Sequence, residues 1–193
     1  MLMKKIAEGK RSVVYIENNK VIKKEREGSK AVNRINNEAY WLNILNKYNI
    51  GPKLIKKQDN EITMELIEGK LIIDWLNENE RENINKMLAK IIKQCRVLDK
   101  LYVNKYELTN PYKHIIISKN KPVMIDFERC KYAEQPKNLT QFCQFISSKK
   151  IECILSRKNI NINKKSLINL LKDYKKNQSE QRFKKILSLF SML

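Results

Sequence analysis

The sequence is short of the residues that build metal and redox sites. It has one histidine and four cysteines, and no cysteine belongs to a Cys-x-x-Cys motif, which argues against a zinc site. Residues 1–10 lack the apolar segment of a secretory signal peptide. No run of about 18 apolar residues occurs, so no membrane span is predicted. We therefore expect a cytoplasmic protein whose cysteines are reduced core residues.

Acidic residues are also scarce. The chain has 21 Asp and Glu against 40 Lys and Arg, which gives a formal net charge of +19. Such an excess attracts anions, so RNA or an acidic partner is one interpretation of the basic surface. The other is compositional, because Lys, Ile and Asn are abundant throughout and the basic residues are spread rather than blocked. Both interpretations stay open.

The first third of the chain has the pattern of a small antiparallel sheet with one helix. Residues 12–16 and 20–24 are β-prone runs, and the asparagines between them favour a hairpin turn. Residues 30–48 have apolar side chains at helical spacing, and Gly51-Pro52 ends that helix. Two further short strands are predicted over residues 53–56 and 62–66.

The rest of the chain is mainly helical. Helices are predicted over residues 71–78, 81–101, 139–155 and 164–191, with a small hairpin of strands over 114–118 and 122–126. The helix over 81–101 has the strongest apolar face. With 193 residues the chain is long enough for one compact domain or two small lobes that share a cleft. The predicted fold class is therefore α+β, with a β-rich first part and a helical second part.

Glycine is rare where a phosphate-binding loop would need it. The turn over residues 7–12 contains only Gly9, and its sequence lacks the upstream glycine of a Walker A loop. A P-loop nucleotide hydrolase is therefore not expected. Gly9 remains a candidate for a loop that covers nucleotide phosphates, since glycine lets the backbone approach them closely. The alternative is an ordinary turn that leads into a strand.

A strand lysine and a helix glutamate form the first candidate pair. Lys23 lies on the second predicted strand, and Glu38 lies fifteen residues later on the predicted helix. A lysine held by such a carboxylate can bind the phosphates of a nucleotide. Lys24 is the rival, because consecutive strand residues face opposite sides of a sheet. The alternative is that Lys23 and Glu38 are two unrelated surface residues, since charged residues are common throughout this chain.

Two later segments place polar residues at strand ends. Glu65 lies where an apolar strand meets the break at Glu68-Gly69, and backbone groups there would suit the adenine ring. Asp126 follows an apolar strand, where a carboxylate is costly to bury without a cation or hydrogen bonds. His114 lies twelve residues earlier, at the start of the same predicted hairpin.

In these residues the chain resembles the protein-kinase-like superfamily. The resemblance lies in the segments SVVY, VIKK, NEAYWLNIL, NIGPKL, MELIEG, YELTNPYKHIII and IDFE. It is closest to small archaeal predicted serine/threonine kinases, which are related to the RIO kinases and to the minimal kinase of the KEOPS complex. The resemblance implies a bilobal kinase-like fold, with a β-rich N-lobe over residues 1–67 and a reduced, mainly helical C-lobe over 68–193. It also implies ATP with Mg²⁺ or Mn²⁺ as cofactors.

Carried over by position, the resemblance assigns roles in nucleotide binding. Lys23 would bind the phosphates and Glu38 would orient it, while Gly9 and Glu65 would belong to the nucleotide site. Asp126 would be a metal ligand.

The catalytic loop departs from the family pattern. Glu107 takes the place of the catalytic aspartate, and Tyr112 stands where a metal-binding asparagine is usual. If the loop is aligned on the following strand, His114 takes the asparagine's place as a metal ligand, although magnesium prefers oxygen ligands. Lys113 is expected to stabilise charge on the transferred phosphate. Glu128 replaces the glycine after Asp126-Phe127 and either adds a second carboxylate or is a simple variant.

The sequence favours a serine/threonine protein kinase with an atypical catalytic loop, and three alternatives remain. These are a small-molecule kinase on the same fold, a nucleotide-binding pseudokinase and an RNA-associated module. The phosphate acceptor, a protein or a small molecule, is not identified. Trp41 and Trp75 are expected in the core. The basic C-terminal helix is expected to pack on its own domain and expose its lysines, with a membrane or RNA surface as the alternative.

Overall fold

The computed structural model describes residues 3–9, 11–26 and 33–191. The chain divides into two compact units. The first comprises the chain up to Glu68 together with Val123–Cys130, and the second comprises Gly69–Pro122 and the chain from Lys131 onward. Within the described residues the protein is α+β, with a five-stranded antiparallel sheet and seven α-helices, in agreement with the predicted class.

The five-stranded sheet belongs to the first unit. Its strands are β1 (Lys4–Glu8), β2 (Ser12–Glu17), β3 (Lys20–Glu25), β4 (Leu54–Gln58) and β5 (Glu61–Glu65), in the order β1-β2-β3-β5-β4. All neighbouring strands are antiparallel. Four of the strands were predicted. Strand β1 was missed because it is an edge strand exposed along its whole length, so its sequence carries no alternation of apolar and polar residues.

The predicted hairpin turn between β2 and β3 is confirmed. Asn18 and Asn19 have φ values of 47° and 60°, the left-handed pair that a two-residue hairpin requires. The turn sets the register of the two strands, with Glu17 opposite Lys20. Strand β3 lies between β2 and β5 in the middle of the sheet.

One helix of the first unit packs on this sheet. Helix α1 (Arg34–Leu45) buries Ile35, Glu38, Leu42 and Leu45 along one face. A 3₁₀ turn extends it to Tyr48 before the chain turns at Gly51, close to the end predicted for this helix. The predicted start at residues 30–32 lies outside the described residues.

The second unit is built around a long helix. It begins with β6 (Lys70–Leu71), α2 (Ile72–Glu78) and α3 (Arg81–Lys100), which are followed by β7 (Val103–Asn104) and β8 (Ile115–Ser118). The predicted apolar face of α3 is buried, except that its last member, Leu101, is half-buried beyond the helix end. The buried residues are Ile84, Met87, Leu88, Ile91, Cys95 and Leu98.

Strand β9 (Lys121–Met124) carries the chain from the second unit back to the first. It is shorter than predicted, because the strand ends at Met124 and Asp126 has left-handed backbone with a φ of 64°. Beyond Cys130 the chain continues in the second unit as β10 (Lys131–Tyr132), which pairs antiparallel with β7.

The C-terminal region contains four helices where two long ones were predicted. They are α4 (Asn138–Ile146), α5 (Lys149–Ser156), α6 (Lys164–Lys176) and α7 (Glu180–Ser191). The first break occurs at Ser147 and Ser148, and the second begins at Asn177, whose backbone is extended. Serine and asparagine side chains compete for backbone hydrogen bonds, which favours helix ends over helix interiors. Apolar spacing alone did not reveal these breaks.

The burial of the tryptophans and cysteines was also predicted, and the structure confirms it except for Cys153. Trp41 and Trp75 are buried as expected. The expectation that all cysteines are core residues is wrong for Cys153, which is exposed, whereas the other three are buried and free. Cys153 lies on the solvent side of the short helix α5, whose buried face is formed by Ile151, Ile154 and Leu155. Among the described helices, none has the length and apolar character needed to cross a membrane.

Candidate functional site

The strongest polar site of the first unit begins with Lys23 on β3. Lys23 is opposite Val14 of β2 and Ile62 of β5, and it is only 7% exposed. The next residue, Lys24, faces the other side of the sheet and pairs with Glu61 at 2.8 Å. The alternation of the strand thus gives one buried lysine and one solvated lysine.

Glu38 on α1 holds the buried lysine. Its side chain is 1% exposed, and Oε2 lies 2.6 Å from Lys23 Nζ. Its other oxygen, Oε1, accepts a hydrogen bond of 3.0 Å from the backbone N–H of Phe127. Both oxygens of this buried carboxylate are therefore engaged.

Two further carboxylates reach the same ammonium group. Asp126 Oδ1 lies 2.9 Å from Lys23 Nζ, and Glu128 Oε2 lies 3.0 Å from it. The left-handed backbone at Asp126 is one that aspartate tolerates better than most residues. The Asp126 side chain is 33% exposed, whereas those of Glu38 and Glu128 are almost fully buried. We call Lys23, Glu38, Asp126 and Glu128 the lysine–carboxylate cluster.

The cluster carries more negative than positive charge. Three carboxylates face one ammonium group, and Arg11 approaches Glu128 only at 3.7 Å with a half-exposed side chain. Burial by itself lowers the pKa of Lys23, but the three carboxylates outweigh burial and raise that pKa above its ordinary value. Burial raises the pKa of Glu38, Lys23 opposes that shift, and the charge of Asp126 adds to it.

The donor atoms of the cluster suit a hard divalent cation. One oxygen from each of Glu38, Asp126 and Glu128 lies within 4.8 Å of the others. Carboxylate oxygens are the ligands that Mg²⁺ and Mn²⁺ prefer. Because both oxygens of Glu38 accept hydrogen bonds, Asp126 and Glu128 are the residues best placed to hold such an ion.

Helix α1 also fixes the segment that follows Asp126. The Asn37 side-chain amide donates to the carbonyl oxygens of Glu128 and Cys130, each at 2.9 Å. Trp41 Nε1 donates to the Cys130 carbonyl at 2.9 Å, and Arg34 donates to that of Glu128 at 3.3 Å. This role of Asn37 was not predicted from the sequence, and Trp41 was expected only as a core residue. The signal available was their spacing of four residues, which puts Asn37 and Trp41 on one face of α1.

Gly51 supports the same segment by leaving room for Phe127. Its φ is 82°, and a Cβ atom there would lie 2.8 Å from Leu42 Cδ2 and 2.9 Å from Phe127 Cε2. Both distances are shorter than a normal van der Waals contact, so the position requires glycine for space as well as for backbone conformation.

Two other residues predicted for nucleotide binding make separate contacts. Gly9 is exposed in the turn between β1 and β2, where its N–H donates to the Ser12 carbonyl at 2.9 Å. Its neighbour Lys10 lies outside the described residues. Glu65 is exposed at the end of β5, and its carboxylate accepts the Lys53 N–H at 3.3 Å. The structure therefore brings together Lys23, Glu38 and Asp126, and it adds Glu128.

The residues predicted for the catalytic loop belong to the second unit. Glu107 is buried in a 3₁₀ turn, and its Oε2 lies 3.4 Å from Nζ of the fully buried Lys105. Lys113 is exposed and His114 is half-buried. Tyr112, at the expected asparagine position, packs edge-on against Phe145 with ring centroids 5.6 Å apart.

A second buried polar network in the second unit was not predicted. Asp99 of α3 is 2% exposed and accepts hydrogen bonds from the backbone and side chain of Asn138 and from the Tyr174 hydroxyl. Arg96 donates to the same hydroxyl at 2.9 Å. Burial raises the pKa of Asp99 to about 6, and the hydrogen bonds from Asn138 and Tyr174 oppose the shift. The network ties α3 to the first residues of α4 and to α6.

No protein-family model matches the chain, and no curated protein matches it at a significant level. The family resemblance drawn from the sequence motifs therefore stays a prediction. The basis for assigning a function is the geometry of the lysine–carboxylate cluster.

Proposed function

We propose that the first unit binds ATP with a divalent cation and that the chain is an ATP-dependent phosphotransferase. In this proposal the fold is bilobal and kinase-like, with lobes over residues 1–67 and 68–193 and a return of the chain to the first lobe at Val123–Cys130. The observation that supports it best is the buried Lys23 held by Glu38. A buried lysine costs free energy unless its charge is compensated, and here three carboxylates surround one ammonium group, more than charge compensation alone requires.

The residues of the cluster have distinct tasks in this proposal. Glu38 keeps the Lys23 ammonium fixed from α1, so that Nζ presents a full positive charge to phosphate oxygens. Asp126, the most exposed carboxylate of the cluster, would be the main ligand of the cation. Glu128 is a second carboxylate for that ion. The cation supplies positive charge to the polyphosphate during phosphoryl transfer.

The acceptor chemistry rests on the second unit. Glu107 is proposed to orient or deprotonate an acceptor hydroxyl, and Lys113 to stabilise charge on the transferred phosphate. His114 is a weak candidate for a magnesium ligand, because neutral imidazole is a softer donor than oxygen. A serine or threonine of a protein is the acceptor class that the sequence resemblance favours.

Thermal unfolding with and without magnesium–ATP tests the nucleotide proposal. A ligand at about 100 times its Kd stabilises the folded state by about 2.7 kcal/mol, which is roughly 5–10 °C in Tm for a chain of this size. We expect this shift for the wild type and for Lys24→Met, and its loss in Lys23→Met. The Lys24 variant is a matched control because it removes the same charge from the same strand on the solvated face.

A second variant distinguishes loss of ATP binding from loss of the folded structure. Lys23→Met leaves three carboxylates without their ammonium group, whereas Lys23→Arg keeps the positive charge with a different reach. We expect Lys23→Arg to remain folded by circular dichroism and to lose most of the ATP-dependent shift. No shift for the wild type at millimolar nucleotide, with either magnesium or manganese, would contradict the proposal.

Transfer of the γ-phosphate separates an enzyme from a nucleotide-binding module. The chain is incubated with γ-labelled ATP and a mixture of serine- and threonine-containing protein acceptors. We expect label on protein with the wild type and little with Glu107→Gln. ATP binding without any transfer would support the pseudokinase alternative.

A further inference from the structure

Tyr102 occupies a backbone position that suits another residue type. It follows the last turn of α3 and has a φ of 56°, the left-handed conformation that normally carries glycine or asparagine after a helix. A bulky aromatic residue is strained there. Burial does not compensate the strain, because Tyr102 is 51% exposed. Unfavourable backbone of this kind is concentrated at functional sites.

A second exposed tyrosine lies beside it. Tyr132 of β10 is 63% exposed, and its ring centroid is 5.8 Å from that of Tyr102, with an angle of 32° between the ring planes. The backbone fixes the pair, because the N–H of Ala133 donates to the Tyr102 carbonyl at 2.9 Å and β10 pairs with β7. Two large rings are therefore held side by side on the surface of the second unit.

Basic residues surround the cavity that adjoins Tyr102. This open cavity has a volume of about 380 Å³, and its lining includes Arg96, Lys100, Lys175 and Lys176 together with Asp99 and Glu134. Glu180 lies 3.1 Å from Lys100 and partly neutralises it. Arg96 is buried and donates to the Tyr174 hydroxyl, so Lys175 and Lys176, which are exposed in the last turn of α6, are the main source of accessible positive charge. All of these residues belong to the second unit.

We propose that this surface binds single-stranded nucleic acid, with bases stacked on Tyr102 and Tyr132 and phosphates bound by Lys175 and Lys176. Nucleic acid fits better than an acidic peptide, because exposed rings beside lysines offer stacking and charge together. Two rings accommodate two or three nucleotides, and the net charge of +19 favours the encounter. The proposal is independent of the ATP site, because it uses none of the cluster residues.

The test measures fluorescence anisotropy of labelled 12-nucleotide single strands, one RNA and one DNA, with the full-length chain. Tyr102→Gly removes the ring and relieves the backbone, so we expect binding to weaken about tenfold while Tm stays equal or rises. Tyr102→Phe keeps a ring and is expected to bind within about twofold of the wild type. A preference for one of the two strands would identify the natural ligand as RNA or DNA.

The lysines are tested by salt dependence. Each phosphate contact to a single strand contributes about 0.7 to the slope of log affinity against log salt. The double variant Lys175→Ala/Lys176→Ala is expected to make this negative slope shallower by about 1.4. The matched control is Lys164→Ala/Lys165→Ala, which removes the same charge from the first turn of α6 and should leave the slope unchanged.

Three results would overturn the proposal. They are unchanged affinity in Tyr102→Gly, an equal loss of slope in both lysine double variants, and competition by poly-glutamate as effective as competition by unlabelled oligonucleotide. Each would show that binding, if any, reflects general positive charge rather than this surface.

Discussion

The backbone N–H of Phe127 donates a hydrogen bond of 3.0 Å to Oε1 of Glu38. The same carboxylate contacts Lys23 through its other oxygen, so one buried side chain of α1 joins the central strand of the sheet to the segment after β9. These contacts lie within the first unit. Replacing Glu38 should therefore disturb the lysine and the Asp126 segment together.

We expect Glu38→Gln to lower the free energy of unfolding by about 2–4 kcal/mol, because glutamine has one acceptor oxygen and its NH₂ group must face either the Lys23 ammonium or the Phe127 N–H. Equilibrium denaturation in urea measures the change. Glu61→Gln is the control, since it breaks the exposed pair with Lys24 and should cost less than about 1 kcal/mol. Similar losses of unfolding free energy in both variants would show that the buried Glu38 contributes no more to stability than the exposed Glu61.

Gly51→Ala is expected to destabilise the first unit by about 2 kcal/mol or more. The new Cβ would overlap Leu42 and Phe127, and the φ of 82° is unfavourable for alanine. Gly9→Ala is the comparison, because its Cβ would meet only the Ser12 carbonyl oxygen at an ordinary 3.6 Å. Urea denaturation of the two variants checks the difference. A loss of less than about 0.5 kcal/mol in Gly51→Ala would contradict the packing described for Phe127.

The hydrogen bonds of Asn37 predict a local effect. Asn37→Ala removes both bonds to the carbonyls of Glu128 and Cys130, at a cost of about 1–3 kcal/mol. We expect faster hydrogen exchange of the Cys130 amide, whose bond to the Phe127 carbonyl lies in the released segment. Asn36→Ala is the control, since Asn36 bonds to Asn33 on the exposed side of the helix. Unchanged exchange at Cys130 would show that Asn37 does not hold the segment.

Asp99 predicts a dependence of stability on pH. Its pKa is about 6 in the folded protein, above its ordinary value of 3.8, so the folded state binds the proton more tightly than the unfolded state. The stability from this group is fully present below about pH 4 and is lost as pH rises through about 6. The loss is on the order of 2–3 kcal/mol.

Carbon NMR of the Asp99 carboxyl, assigned with Asp99→Asn, measures this pKa. We expect a midpoint near pH 6 and a weaker decline of stability between pH 4 and 6 in the variant than in the wild type. A midpoint at or below pH 4 would show that the hydrogen bonds from Asn138 and Tyr174 outweigh burial.

Much of the first unit was predictable because its signals are local. The two asparagines of the β2–β3 turn, the alternation along β3 and the apolar face of α1 are patterns within a few residues. The same local signals fail at helix breaks. Residues 147–148 and 177–179 interrupt apolar spacing that otherwise continues, and the polar side chains there signal the break only weakly.

The candidate site was also predictable only in part. Alternation along β3 determined that Lys23 and Lys24 face opposite sides, and helical spacing placed Glu38 on the buried face of α1. The functional roles of all the predicted site residues stay predictions, those of Lys23, Glu38 and Asp126 as well as those of Gly9, Glu65, Glu107, Lys113 and His114. The contribution of Glu128 was left open by the sequence, which allowed either a second carboxylate or a simple variant, and in the structure it contacts Lys23.

The sequence by itself determined four strands of the large sheet, the β2–β3 turn and the buried face of α3, since each depends on backbone propensity and on burial patterns within one element. The tertiary structure decided which distant groups meet. Lys23 and Asp126 are 103 residues apart, and Asp99 meets Tyr174 across 75 residues. Such pairs produce no periodic pattern in the sequence. The attraction between the two groups offsets the cost of their desolvation, and both arise only once the chain has folded.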